Sequence, residues 1–366
     1  MSRQSELAEL SRIYDSSALS NRNLIINGAM KVAQRGTSAS SLSSGDAYST
    51  VDRFMRRISS AGTWTQSQST DVPSGQGFGY SLKMDCTTAN SSLSATSDLQ
   101  IQYRFEGQDI QRLSYGNASA KKMTLSFWVK ATKTGTNIVQ FYQDDGNDHI
   151  TKSYTVDTSD TWEYKTITFE GNTAASINND NTRGLIMQFH LAAGSNKTSG
   201  TLATSWASYT EANEAVGQVN HADSTSNNFY LTGVQLEVGD TATPFEHRSY
   251  GDELMRCFRY FIRRNSPQDG YPALIAGFHS TSGYFNGVTQ FEVEMRATPS
   301  LTTSGAFRGQ GFADSSSATG TCTIQNASSE SCRLNCSGMS FSGTNGQYVH
   351  LQQTGGAGHV SFDAEL

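Results

Sequence analysis

The feature that most constrains this chain is a run of short alternating segments between residue 45 and Glu237. "GYSLKMDC", "LQIQYRFEG", "MTLSFWVKA", "NIVQFYQD", "KSYTV", "WEYKTITFEG", "GLIMQFHLAAG" and "NNFYLTGVQLEVG" each alternate apolar and polar residues over four or more positions. Loops rich in Gly, Asn, Ser and Asp separate them. A period of two places one residue set on each face of a strand. Many such strands with no helix-length pattern between them predict one antiparallel two-sheet sandwich of jelly-roll type over about residues 45–240. They count against a parallel α/β fold. The core set includes Leu125, Phe127 and Val129, together with Leu185, Met187 and Phe189. Trp128 then falls on a partly polar face, and Trp162 leads Tyr164, Thr166 and Thr168 in the same way. Gln188 and His190 are expected outside.

The polarity of the chain is of a kind that suits this reading. Charged residues are 16% of 366, so the hydrophilic content comes from Ser, Thr, Asn, Gln and Gly. Thr and aromatics favour strands, while Gly, Ser and Asn favour turns. A net charge of -6 gives no electrostatic case for nucleic acid or an anionic membrane. No apolar run approaches the ~20 residues of a membrane span, and the first twenty residues lack the apolar stretch of a signal peptide. The expectation is a protein made in a cytosol, without membrane insertion. Its five cysteines are read as mostly reduced, with Cys322, Cys332 and Cys336 as ordinary thiols rather than a zinc site.

Both ends depart from the strand pattern. Residues 3–15 carry Leu7, Leu10 and Tyr14 at helical spacing. Two readings stand here: a helix packed on its own domain, or an attachment arm that meets other copies or a docking surface. At the other end, "GVQLEVGDTATPFEHRSYGDELMRCFRYF" leaves a strand, turns at Pro244-Phe245 and enters a run with helical spacing. The stretch "ELMRCFRYFIRR" is a helix, or a helix turning into a strand. "SGYFNGVTQFEVEMRATPSLT" is expected to be a hairpin turning at Asn286-Gly287, and "YVHLQQT" and "HVSFDAEL" to be the last strands. The organisation predicted is a helical arm at 1–22, a jelly roll at 23–248, and a connector with a smaller β-domain at 249–366.

No constellation for catalysis can be placed. Nothing resembles a nucleophile elbow or a histidine metal motif. His149, His190 and His279 are each read as structural. Asp144 and Asp145 are adjacent, and adjacent acids on a strand point apart, whereas a glycosidase needs two carboxyls facing one bond. "QDDGNDH" at 143–149 offers hard oxygens of the sort calcium takes, but its spacing is not that of an EF-hand loop. It is read as a solvated hairpin tip. No cofactor and no metal is expected. For a sugar, the usual device is an aromatic ring against a pyranose face. Trp128 and Trp162 are the candidates for glycan contact. Arg256, Arg259, Phe258 and Phe261 are candidates for a subunit interface, with Leu7, Leu10 and Tyr14 in the arm.

The landmarks "NLIINGAMKVAQRGTS", "YSTVDRF", "LSFWVKA", "VQLEVGDTATPFEHRSYGDELMRCFRYF", "MRATPSLT" and "FDAEL", in this order, resemble a group of tailed-bacteriophage virion proteins. These are tail-fibre or receptor-binding-like proteins with a carbohydrate-binding-module-like jelly roll. The resemblance spans roughly residues 23–300. It implies a structural, non-enzymatic protein of the phage tail, a homotrimeric fibre that engages other tail proteins through its N-terminus and a host glycan or protein beyond it. The chain departs from the group in lacking long shaft repeats, which favours a compact spike or small fibre. The alternatives are a virion adaptor or capsid-decoration protein, and the glycan-binding module of a polysaccharide-degrading enzyme.

Overall fold

The computed structural model describes residues 21–265, 273–280, 283–311, 315–318, 322–338 and 345–366. Leu7, Leu10 and Tyr14 lie outside the described residues. The chain is mainly β and divides into a larger unit ending at Glu253 and a smaller unit, Leu254–Glu365. Among the described residues no helix is long and apolar enough to cross a membrane.

The larger unit is an antiparallel sandwich. One sheet has six strands, in the order Ser38–Leu42, Thr63–Ser69, Ser81–Thr88, Asn228–Val238, Met123–Ala131 and Glu163–Phe169. The other has seven, in the order Ala207–Ser208, Asp148–Val156, Gly135–Gln143, Arg183–Ala193, Asp98–Glu106, Met55–Ser59 and Gly45–Tyr48. Alternation sends one set from each sheet into a shared core. Leu125, Phe127 and Val129 of the first meet Leu185, Met187 and Phe189 of the second, and all six are fully buried, as their spacing predicts. Phe127 packs edge-on against Phe189 with ring centroids 5.0 Å apart.

The first motif and the strand exit close on each other. Asn23 donates to the Val234 carbonyl and accepts from Leu236 N–H. Glu246 accepts from the backbone of Asn21 and Asn23. Arg248 donates to the carbonyls of Asn23 and Ile25, and Glu253 accepts from Asn27 N–H at 2.6 Å. Asn27 has φ 62°, in the left-handed region Asn tolerates. Gly28 is required for close approach, because a Cβ there would lie 2.1 Å from the Val234 carbonyl oxygen. "NLIINGAM" and "PFEHRSYGDE" are thus two halves of one clasp.

The helix is Tyr250–Phe258, capped by Ser249, which accepts from Asp252 N–H, and the chain then becomes the strand Phe261–Asn265. The smaller unit's sheet runs Ser315–Ala318, Ser300–Gly311, Tyr348–Asp363, Ala273–Ser280, Tyr284–Gln290, Ser331–Cys336 and Cys322–Gln325, with Phe261–Asn265 also on Tyr348–Asp363. "YVHLQQT" and "HVSFDAEL" are the two ends of that one long strand. The hairpin expected to turn at Asn286-Gly287 is not there. Both residues lie within the strand Tyr284–Gln290, and Gly287 faces Gly277 across the ladder. A Cβ on Gly277 would lie 2.2 Å from the Asn286 carbonyl oxygen, so the glycines serve strand contact rather than a turn. Cys322 and Cys336, read as thiols, stand opposite each other on paired strands and are joined by a disulfide. Cys86, Cys257 and Cys332 are free and buried.

Candidate functional site

The outer face of the six-stranded sheet gathers the aromatic candidates. Alternation turns Trp128 and Lys130 away from the core that Phe127 and Val129 enter. Trp128 stands beside Tyr164 on one neighbouring strand and Thr232 on the other, and Lys130 stands beside Tyr230. The Trp128 and Tyr164 rings are 5.4 Å apart at 47°, and Trp162 and Tyr230 are 6.0 Å apart. Tyr164 is 46% exposed, and both tryptophans are half-buried. Trp128 and Trp162, the two residues picked for glycan contact, therefore lie on the same face.

Asp71 orders this face from a loop. Its Oδ1 accepts from Trp162 Nε1 at 2.9 Å, and Oδ2 accepts from Lys130 Nζ. Burial favours the neutral acid, but these donors outweigh it and hold the Asp71 carboxyl below its ordinary pKa. Lys130 Nζ lies 4.5 Å from the Tyr230 ring centroid and 5.9 Å from that of Trp162. Lys83, beside Tyr230 in register, pairs with Asp85 at 3.2 Å. The indole N–H of Trp162 is thus engaged within the protein, which leaves the apolar ring surface as its means of contact. Phe78 comes close to Trp128 at Gly233, where a Cβ would lie 2.6 Å from Phe78 Cζ and 3.1 Å from Trp128 Cδ1. Gly233 has φ 61°, so that position suits glycine twice over. A face of this kind can stack on the C–H surface of a sugar ring while Lys and Tyr groups bond its hydroxyls.

The outer face of the seven-stranded sheet differs from expectation. Gln188 and His190 are buried, not outside; His190 is fully so. The segment 194–222 meets this sheet and its edge: Tyr209 packs against His149, Lys197 approaches Asp98, and His221 N–H bonds the Leu191 carbonyl. Gln140 brings two of the three candidate histidines together, contacting His149 Nδ1 at 2.8 Å and His190 Nε2 at 3.4 Å. Burial and the nearby Lys197 and Arg57 push the His190 pKa down to about 3. A neutral imidazole among glutamines is a structural partner. His279 is buried in the smaller unit.

The acidic loop spends its oxygens on the protein. Asp144 binds the Arg183 guanidinium at 2.9 and 3.0 Å, Asp145 binds Asn178, and Asp148 accepts from Asn172. Among the described residues no group of acidic, His and Cys side chains could hold a metal ion. Of the interface candidates, Phe261 is only 3% exposed and Phe258 packs on the smaller unit's own core. Arg259 donates to the Glu294 carbonyl within the same unit, and Arg256 is half-buried. Phe261 has little surface left for a sister chain.

Sequence reading missed Asp71 and Tyr230. Tyr230 carried a signal, its place in an alternating strand. Asp71 carried none, because its partners lie about sixty and ninety residues away.

No family model matches the chain, and no curated protein matches its sequence. Among solved structures, it is similar to the enzymatically active domain of tailspike protein 4 of bacteriophage CBA120, at 12% identity and TM-score 0.31, over 59% of this chain and 21% of that one. It is similar to the C-terminal family 22 carbohydrate-binding module of Xyn10B from Clostridium thermocellum, at 12% identity and TM-score 0.30, over 62% of this chain and 100% of that one. It is also similar to the N-terminal cellulose-binding domain of Cellulomonas fimi β-1,4-glucanase C, at 11% identity and TM-score 0.27, over 58% of this chain and 100% of that one. The chain spans about a fifth of the tailspike domain's length. The fold assignment rests on the strand pairing described above.

Proposed function

We propose that this chain is a non-catalytic structural virion protein of a tailed phage, a homotrimeric tail fibre that contacts a host surface glycan. The observation that carries the glycan part is the aromatic row itself. Trp128, Tyr164 and Trp162 line one sheet face, partly open to solvent, with the buried Tyr230 and lysines beside them. The ordered series of motifs from "NLIINGAM" to "FDAEL" supports the virion part, and the clasp gives two of those motifs a shared structural task. The lysines on this face are matched by Asp71 and Asp85, so the surface suits a neutral sugar better than an acidic one.

Two measurements test the reading. Affinity electrophoresis of the full chain through neutral polysaccharides (xylan, laminarin, β-galactan) should show retardation, lost in Trp128→Ala and Tyr164→Ser. No retardation by any of them, nor on a glycan array, sinks the glycan reading. Gold labelling of virions should mark the tail; label spread over the capsid supports a decoration protein instead.

A further inference from the structure

Among the described residues of the smaller unit, nothing covers one face of the sheet. Along Ala273–Ser280 and Tyr284–Gln290 the pattern alternates: Ile275 and Phe285 enter the core, while Phe278, Tyr284 and Val288 point the other way. On Tyr348–Asp363, Val349 and Leu351 point in and Tyr348 out. Phe278 stands directly opposite Tyr348, with ring centroids 6.4 Å apart. Exposure is 57% for Phe278, 48% for Tyr348, 37% for Tyr284 and 67% for Val288. These are four of the eight large apolar side chains exposed among the described residues, gathered on one face.

We infer that a second copy of this chain covers this face. The pairing excludes one other mode and the composition weighs against a second. The strands Ala273–Ser280 and Tyr284–Gln290 are paired on both sides, so there is no open edge here for an added strand. Val288 and Ala276 offer a sugar no hydrogen bond, which leaves that task to the Tyr284 and Tyr348 hydroxyls and to His350 opposite Ala276. The amides of Asn286 and Asn335 bond each other at 2.8 Å, and Arg333, across from Val288, is held by Gln325. Few charges and clustered aromatics are the composition of an interface core.

The area agrees. With aromatic side chains at about 150–250 Å², the four residues expose roughly 350 Å² of apolar surface. A standard interface takes about 800 Å² per partner, of which about 450 Å² is apolar. The patch provides most of that from one sheet. The patch is distinct from the candidates Phe258, which packs on the unit's own core, and Phe261, which is buried, whereas Phe278 and Val288 face outward. The inference rests on the fibre reading only for the expectation of self-association.

The test is light scattering and sedimentation of the full chain over a dilution series, beside Val288→Lys and Phe278→Ser. The wild type should be an oligomer. Each variant should weaken association by about 30-fold, the scale of a hot spot of 2 kcal/mol. Tyr164→Ser, on the other unit, should leave the mass unchanged. Calorimetry checks that each variant is folded. Oxidative footprinting of the unmodified chain adds a readout free of any folding defect: Phe278 and Tyr348 should be protected at high concentration and labelled on dilution. A wild type that stays monomeric up to its solubility limit overturns the inference. So does a folded variant of unchanged mass, or full labelling of both rings in an intact oligomer. A monomer that still binds polysaccharide sinks the interface alone. An oligomer dissolved by Val288→Lys that binds no glycan and labels the capsid leaves the interface standing and sinks the fibre reading.

Discussion

Lowering the pH from 7.5 to 5 should destabilise the larger unit by about 3 kcal/mol, and two buried histidines set the sign. His190 is fully buried, its ring between Gln100 and Gln140. His221 is fully buried too, with Nε2 2.7 Å from the Asn137 carboxamide oxygen and no partner for Nδ1. An Nε2–H donor to that oxygen leaves Nδ1 as a bare acceptor. Protonating it would bury an unpaired N–H and a charge. Burial first, then nearby cations, lowers the pKa to about 3 for His190 and about 4 for His221. The folded state thus binds protons less readily than the unfolded chain, whose histidines titrate near 6.5. The stability is present above 6.5 and is lost as pH falls toward the folded values. At pH 5 each histidine has lost about 2 kcal/mol. Asp98 acts oppositely: burial raises it to about 6, so protonation below that pH returns about 1 kcal/mol. Carboxyls held low, such as Asp71, begin to cost only below about pH 4. All four tryptophans lie in the larger unit, so Trp fluorescence in urea follows that unit alone. The assay is the unfolding free energy at pH 7.5, 6 and 5 for the wild type and a His190→Gln/His221→Gln double variant. A flat wild-type profile refutes the reasoning. So does a double variant that keeps the wild-type slope.

Three further outcomes follow from particular contacts. Gly28→Ala drives a Cβ to 2.1 Å from a carbonyl oxygen and should cost at least about 2 kcal/mol, read from the urea midpoint. Glu253→Ala strips Asn27 N–H of its acceptor and takes the acid from beside the buried Arg248. Fluorescence unfolding should show a loss of about 3 kcal/mol, with Glu253→Gln losing less. Reducing Cys322–Cys336, which closes a loop with a sequence separation of 14, should destabilise the smaller unit by about 3 kcal/mol; hydrogen exchange of peptides around 322–336 reads it, while Trp fluorescence stays unchanged.

The strands were legible because a half-buried strand writes its burial as alternation. Leu125, Phe127 and Val129 could be sent inward, and Trp128 outward, from spacing alone. The same rule failed at Gln188 and His190. Alternation reports which residues share a face, but not whether a later segment will cover it. Segment 194–222 does so with little regular structure, and it offered no period to read. Asn286-Gly287 failed for a related reason. The dipeptide is favoured in turns, but Gly287 was selected by its cross-strand neighbour Gly277. The aromatic row was half legible: Trp128 and Trp162 carry it in their own strands. Asp71, which fixes both Trp162 and Lys130, depends on contacts between residues far apart in sequence.

The clasp between Asn21–Asn27 and Glu246–Glu253 has a mechanical corollary. It brings the entry and exit of the larger unit side by side. Tension applied at residue 21 and residue 253 would therefore run chiefly through the clasp. Glu246, Arg248 and Glu253 would take the load in parallel with the bonds of Asn23 and Leu24 to the strand Asn228–Val238, and the strands behind would be loaded only through these contacts. A sandwich tied off in this manner hangs beside the line of force like a bead on a knotted thread. Its aromatic face would keep its geometry while the chain on either side is pulled.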